Sequence, residues 1–386
     1  MAKRKTVISE EFDDTSSNSS PNTLNDILID ELKSEIGGSA YVLGEDDTPA
    51  DVTEWLSTGS TILDMVISNN PTGNGGIPVG RLTEIHGDPS TGKSLLAYMI
   101  LKDCAAKGGI SVLIDTENAA NIEFLNMLGL DPRKNLTYVQ VDTVEDVFAT
   151  IETVIRSVRK NDRKKLVTIV WDSIAGTSTR KEMEEEVGNQ QVAMVPRLLG
   201  QGCRKVSRLI GDQRIALVFL NQLRAKIGVV FGDPMTTPGG NAVPFFADVR
   251  VRLRTAGKIK AGAKDIIGVS SKAQIIKNRF GPPYREAILN IYFDKGLIDE
   301  DSWFDFLKAK KLIKKLTVQK SQLTLDGETF EFKNKEFMKL MRSQTEEFRN
   351  KIKQMIKDDL YIEQDPDKRE DEITIEEVPE EELLGT

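Results

Sequence analysis

Gly87-Asp88-Pro89-Ser90-Thr91-Gly92-Lys93-Ser94 fits the pattern G-x-x-x-x-G-K-[ST] at every fixed position. The octapeptide follows a short apolar run, residues 81–86 (RLTEIH), and precedes LLAYMILKDCAA, which is patterned as a helix. A strand before and a helix after is the setting in which this pattern becomes a phosphate-binding loop. Glycines let backbone N–H groups approach phosphate oxygens, and the helix N-terminus adds partial positive charge. Lys93 is placed to reach β- and γ-phosphates, and the Ser94 hydroxyl to ligate Mg2+.

Outward from the loop, residues 57–300 alternate short apolar runs with helical segments, the mark of an α/β fold with a mostly parallel sheet. The strand candidates are 81–86, 110–114, 137–141, 166–171 and 215–220, followed by 248–254, 272–277 and 287–293. The last three alternate in polarity and sit close together, so that end reads as antiparallel. Run 166–171 ends in Asp172-Ser173. An acid at the carboxyl end of such a strand lies in the crevice where open α/β sheets bind ligands. Asp172 is therefore read as a Mg2+ holder acting through water, with a helix N-cap as its plainer role.

Run 110–114 ends in Asp115-Thr116-Glu117-Asn118 on the same edge. Nucleotide hydrolysis needs a group that orients or deprotonates water in line with the γ-phosphate, and Glu117 is the nearest candidate. The plainer alternative has Asp115 capping a helix and Glu117 solvated. Phe124, further on, reads two ways: stacked on adenine or packed in the core.

Composition narrows the class. The 386 residues suffice for a large domain with smaller modules. Lys and Arg total 52 against 60 Asp and Glu, a net charge of −8, which excludes a simple cationic nucleic-acid binder. No apolar run approaches the roughly 20 residues of a membrane span. The opening MAKRKTVISEEFDD has no apolar stretch behind its basic residues, so no secretory signal is expected. Cys104, Cys203 and His86 support neither a disulfide framework nor a His-rich metal or triad site, and read as ordinary packing. The expectation is a reduced, cytoplasmic protein with no membrane segment.

The flanks differ from the middle. Residues 1–21 are rich in Ser, Asn, Asp and Glu and read as disordered. Leu24, Ile27, Leu28, Leu32 and Ile36 then recur at helical spacing until Gly37-Gly38. So short an amphipathic helix must bury its stripe on its own core or on a neighbouring subunit. Residues 303–357 carry 14 Lys/Arg against 7 Asp/Glu, whereas 358–386 carry 2 against 13. A basic module is followed by an acidic tail.

At this point a resemblance enters. STGSTILDMVISNN, GGIPVGRLTEIHGDPSTGKS, LIDTENAA, WDSIAG and NQLRAKIGVVFGDPMTTPGGNA closely resemble the RecA recombinases of bacteria and phages, in order and spacing, over about residues 43–292. The resemblance implies a RecA-like P-loop NTPase core with an N-terminal polymerisation helix and a small C-terminal α/β domain. It implies a DNA-dependent ATPase, using ATP and Mg2+, that polymerises on single-stranded DNA as a helical filament of itself. That filament would exchange strands with double-stranded DNA in recombination and repair.

Carried over by position, Glu117 resembles the catalytic glutamate, and Phe124 takes an adenine-stacking position. Gln222 resembles the glutamine that senses the γ-phosphate. Residues 184–200 are similar to a first DNA loop, with Gly188 retained and Arg197 and Arg204 in place. Residues 223–237, with Arg224, Lys226 and Phe231, are similar to a second, which runs into Gly239, Gly240 and Asn241. Lys277 and Arg279 resemble the cations that reach the ATP of the adjacent protomer. Asn118, Asn121, Val192 and Pro244 depart from the usual His, Asp, Met and Lys, which suggests a divergent, phage-like member.

The expected organisation is a disordered extension (1–21), a polymerisation helix with linker (22–56), the ATPase core (57–300), a basic domain (301–357) and an acidic disordered tail (358–386). Loops that track phosphate give little sequence preference. The tail competes with DNA for the same basic residues, so removing 358–386 is expected to raise duplex affinity, most at low salt in a titration.

Overall fold

The central apolar runs become strands buried on both faces, as a sheet covered by helices on each side requires, whereas the edge strand Leu136–Gln140 is largely exposed. The computed structural model describes residues 24–35, 40–41, 48, 51–131, 133–185, 194–211, 213–225, 235–262 and 265–362. We number the strands of the central sheet β1 (Leu82–Gly87), β2 (Ile110–Asp115), β3 (Leu136–Gln140), β4 (Val167–Asp172) and β5 (Ile215–Gln222). They continue as β6 (Val249–Ala261), β7 (Asp265–Asn278), β8 (Glu286–Tyr292) and β9 (Gly296–Leu297). The nine lie in the order β9-β8-β7-β6-β1-β5-β4-β2-β3. From β6 to β3 all neighbours are parallel, and from β9 to β6 all are antiparallel.

The alternation of β5 sorts its side chains between two cores. Ile215, Leu217 and Phe219 join Leu82, Trp171, Leu199 and Cys203 in one cluster, while Ala216, Val218 and Leu220 join Leu96, Ile100 and Leu101 of the helix Lys93–Ala106 in the other. Cys104 and Cys203 are both buried and free. No helix among the described residues is long and apolar enough to cross a membrane.

Several expectations are corrected. Strands β6 and β7 run far beyond the apolar runs 248–254 and 272–277, as a hairpin with irregularities at Arg250/Val251, Thr255/Gly257 and Ile259/Lys260. The extension carries exposed residues such as Thr255, Lys258 and Lys260, so it has no apolar signature. Residues 194–200, placed in a loop by resemblance, begin the helix Met194–Ile210. Pro196 is tolerated there because the first turn of a helix needs few N–H donors.

The chain divides into two compact units, Met1–Asp51 and Val52–Thr386. In the first, the helix Leu24–Glu35 has no buried residue, and Leu24, Ile27, Leu28 and Leu32 are exposed. The line falls at 51/52 rather than 56/57, because Trp55–Leu56 pairs with Ile77–Pro78 and is buried.

The basic module does not separate from the core. Its helices Asp299–Ala309, Phe337–Ser343 and Glu346–Leu360 flank a three-stranded antiparallel sheet. Trp303, Phe337, Ile352 and Ile356 share the apolar cluster of the central sheet. Thr61 donates its N–H (2.8 Å) and hydroxyl (2.5 Å) to Asp299, which ties the module to the helix Thr61–Ser68. The last helix reaches Leu360, past the boundary at 357, and Asn69 Nδ2 donates to the Ile362 carbonyl at 3.0 Å. The extension 1–21 and the tail from 363 lie outside the described residues.

Candidate functional site

β1 ends at Gly87, where the chain passes so close to β6 that a Cβ would lie 2.2 Å from the Leu253 carbonyl oxygen. The loop turns through Ser90 (φ 60°) and Gly92 (φ 92°), left-handed conformations that glycine adopts freely. Thr91 Oγ1 donates to the Asp88 carbonyl at 2.8 Å, and the helix Lys93–Ala106 begins directly afterwards. Lys93 Nζ donates to the carbonyls of Gly87 (3.1 Å) and Asp88 (2.7 Å). Burial lowers the pKa of this ammonium, against the pull of Asp172, Glu117 and Asp88. Gly87, Asp88, Pro89, Ser90, Thr91, Gly92, Lys93 and Ser94 thus form one strand-to-helix turn.

Parallel pairing sets Asp115 opposite Asp172 at the carboxyl ends of β2 and β4. Burial pushes the Asp172 carboxyl up to about 6, and its hydrogen bond with Ser94 opposes the shift. A hydroxyl and a carboxylate side by side beneath a phosphate loop suit Mg2+, which takes one or two protein oxygens and completes its shell with phosphate and water.

Asp115 accepts from the backbone of Glu117 (3.0 Å) and Ala120 (3.0 Å) and from the Tyr138 hydroxyl (3.0 Å). It therefore shapes the turn rather than capping the next helix. That cap is Asn121, whose Oδ1 accepts from Phe124 N at 3.0 Å. Asn118, at φ 56°, completes the turn. Glu117 is exposed yet hydrogen-bonded: its Oε1 accepts from Gln222 Nε2 at 3.0 Å and from the Ser173 hydroxyl. Gly176 closes the other side, where a Cβ would lie 2.7 Å from Glu117 Cγ. Phe124 is half-buried with its ring 6.3 Å from that of Tyr98.

Gln222 leads into Arg224–Ala225, which pairs with Met235–Thr236. Arg224 is exposed and donates to the Ala175 carbonyl at 3.5 Å. Arg197 and Arg204 are exposed on the helix Met194–Ile210, seven residues apart and so on one face. Gly239 and Gly240 have positive φ and pack on that helix, where added Cβ atoms would meet Leu199 at 2.4 Å and Pro196 at 3.2 Å. Asn241 starts the helix Ala242–Phe246 without a side-chain cap bond. Gly188, Lys226 and Phe231 lie outside the described residues. Lys277 Nζ donates to the carbonyls of Pro244 (2.9 Å) and Phe245 (2.8 Å), and Arg279 pairs with Asp248 at 2.8 Å.

Sequence reasoning missed Ser173, Gly176 and Asn221. Asn221 left a trace: it is a polar residue inside the buried run IALVFLNQ, and a buried amide demands partners. The other two left no pattern, because their meaning depends on residues about 60 positions away.

Residues 24–298 match the family described as the RecA N-terminal domain. Protein RecA of Wolinella succinogenes is 37% identical over 283 residues, which cover 73% of this chain and 77% of that protein. Protein RecA of Geobacter sulfurreducens is 34% identical over 291 residues, 75% of this chain and 82% of the relative. For Protein RecA of Thermus thermophilus the figures are 37% over 268 residues, 69% and 74%. The family match takes in the whole central sheet and stops at Ile298, just before the helix Asp299–Ala309 of the basic module.

Proposed function

The chain belongs to the RecA family, whose general properties are recombination, DNA binding and ATP binding, and from that premise we propose an ATP-driven recombinase. In this reading the protein polymerises on single-stranded DNA, pairs it with homologous duplex and exchanges strands, hydrolysing ATP as it does so. The reading places it in the cytoplasm, where two buried free thiols fit a reducing compartment.

Lys93 would turn from the carbonyls of its own loop to the β- and γ-phosphates, and Ser94 and Asp172 would hold Mg2+. When bound, Mg2+ neutralises charge on the phosphate oxygens. Glu117 is the group that positions water, and its two neutral donors keep the carboxylate fixed at the strand edge. Gln222 would exchange Glu117 for the γ-phosphate and carry that change into the DNA loop that follows it. Phe124 offers its ring to adenine. Lys277 and Arg279 would serve the nucleotide of the adjacent protomer, as arginine fingers act in trans.

DNA would lie along Arg197, Arg204 and Arg224 and the segments holding Gly188, Lys226, Phe231, Gly239, Gly240 and Asn241. Cations there meet phosphates and leave the bases unread. The module 301–357 would gather duplex, and the acidic tail would compete with it.

The observation that carries this reading is the Gln222–Glu117 hydrogen bond at 3.0 Å, which joins the phosphate edge to the start of a DNA loop. The test is ATP turnover with and without single-stranded DNA, read beside electron micrographs. DNA-stimulated turnover with helical filaments is expected, and Lys93→Ala should abolish both hydrolysis and filament extension. A monomer without turnover on DNA, or unimpaired turnover in Lys93→Ala, sinks the reading.

A further inference from the structure

Leu82, Glu84 and His86 alternate onto one face of β1, and Leu82 clusters there with Leu199, Cys203 and Val243. That face therefore lies under the helices Met194–Ile210 and Ala242–Phe246. On it, four polar residues from four adjacent strands form a lateral row: Asn221 of β5, Glu84 of β1, Arg250 of β6 and Lys277 of β7. Register pairs Glu84 with Arg250 and Arg250 with Lys277, and sets Asn221 opposite His86, next in line to Glu84. Glu84 and Asn221 are fully buried and Arg250 is 9% exposed.

The row is bonded along most of its length. Arg250 Nε donates to Glu84 Oε2 at 2.6 Å, and Asn221 Nδ2 donates to Glu84 Oε1 at 3.1 Å. The same amide donates to the Pro238 carbonyl at 3.1 Å, at the far end of the DNA loop, while its Oδ1 accepts from Gln222 N at 3.0 Å. At the opposite end, burial lowers the pKa of Lys277, with Arg279 and Arg250 lowering it further and Asp248 and Glu84 opposing. Both charges of the Glu84–Arg250 pair are thus felt at Lys277.

A buried ion pair seldom stabilises a fold more than apolar side chains of the same volume would. Its position explains what apolar packing could not supply. We propose that the Glu84–Arg250 pair, tied to the strand end through Asn221, is a positioning relay between the sensor Gln222 and the cations Lys277 and Arg279. This rests on the recombinase reading, in which those groups face nucleotides at opposite seams of one protomer. A shift of Gln222 toward phosphate moves the N–H that Asn221 holds. Asn221 in turn holds Glu84, and the pairing of Glu84 sets how much Arg250 charge Lys277 meets.

The test uses the full chain with ATP and single-stranded DNA. Glu84→Gln/Arg250→Gln removes both charges at similar volume, so no buried charge is left unpaired. Binding of a fluorescent ATP analogue to protomers dispersed at high salt should stay at the wild-type value. DNA-stimulated turnover should fall about five- to tenfold, within the range of coupling between sites, and its ATP dependence, which the relay predicts to be sigmoidal in the wild type, should become hyperbolic. In a double-mutant cycle, adding the pair substitution to Lys277→Met should cost nothing further. A wild-type sigmoid in the double variant, or losses that multiply with Lys277→Met, overturns the relay.

Should the double variant not fold, Glu84→Asp keeps the charge but is one methylene too short to hold both Asn221 and Arg250. Its ATP dependence should be less sigmoidal at unchanged nucleotide affinity, and an unchanged sigmoid overturns the relay equally. A wild-type protein without DNA-stimulated turnover fails at the earlier step, the recombinase reading.

Discussion

Asn221 and Gln222 are neighbours on β5 that face opposite sides of the sheet, and each gives its side-chain amide to a glutamate. Asn221 donates to Glu84, which is fully buried and held by the guanidinium of Arg250. Gln222 donates to Glu117, whose other donor is the hydroxyl of Ser173. One carboxylate has a charged partner it cannot leave without exposing a buried charge. The other has two neutral partners that water or phosphate can replace. Neutral donors hold a group that must change partners; a charged partner holds one that must not.

The sharpest way to break this contrast is Glu117→Gln, because glutamine can still accept from Ser173 but cannot take a proton from water. DNA-stimulated hydrolysis should fall by about 10²–10⁴, the usual contribution of a positioned acid–base group, with ATP and DNA binding retained. Steady-state turnover beside filament lifetime checks it. Wild-type turnover would assign the water to another residue and erase the difference between the two glutamates.

Glu84→Gln probes the other member. It leaves the Arg250 guanidinium buried without its counter-charge, which costs about 3–5 kcal/mol of stability in comparable sites. A lowered urea midpoint is expected, and an unchanged one would make the two glutamates equivalent. Burial opposes the Glu84 charge, but His86 and Arg250, with hydrogen bonds from Arg250 and Asn221, bring its carboxyl below the usual value. Burial itself pushes His86 down to about 4, so near neutral pH it is Arg250 that stabilises the charge. A carboxyl depressed by folding adds stability above its unfolded pKa and loses it as pH falls through the folded one. The wild type should therefore lose stability more steeply on acidification than Glu84→Gln, which lacks this carboxyl.

The two sites were unequally legible. The strand-to-helix turn over 87–94 could be read outright, because its pattern lies within eight residues and its flanks carry strand and helix periods. Asp172 and Glu117 followed from a rule about strand ends. The sheet order did not follow, because β1 lies between β6 and β5, which are distant in sequence. The Glu84–Arg250 pair was invisible for the same reason, its members standing 166 positions apart. The first turns of the helix Met194–Ile210 were placed in a loop by resemblance, although Leu199, Cys203, Val206 and Ile210 recur at helical spacing and are buried. Thr116, Ser173 and Thr177 form a hydroxyl cluster beside Glu117, and it could not be seen in isolated polar letters.

Gly176→Ala should have the smallest effect and discriminate most finely. Gly176 does not occupy a left-handed conformation, so alanine fits its backbone. Its new methyl would nevertheless stand 2.7 Å from Glu117 Cγ, and the carboxylate must shift away from Ser173, Gln222 or both. A displacement of this kind should lower turnover about tenfold, roughly 1.4 kcal/mol of barrier, while nucleotide affinity stays put because Gly176 is outside the phosphate loop. Glu84 and Arg250 lie on the other face, so the urea midpoint should move far less than in Glu84→Gln. Combining Gly176→Ala with Glu117→Gln separates displacement from damage. If alanine acts only by moving Glu117, the double variant is no slower than Glu117→Gln alone, since a group already lost cannot be misplaced. Losses that multiply would mean that the turn after Asp172 has a role of its own, and the tolerance of Glu117 for exchanging partners would no longer rest on its two neutral donors.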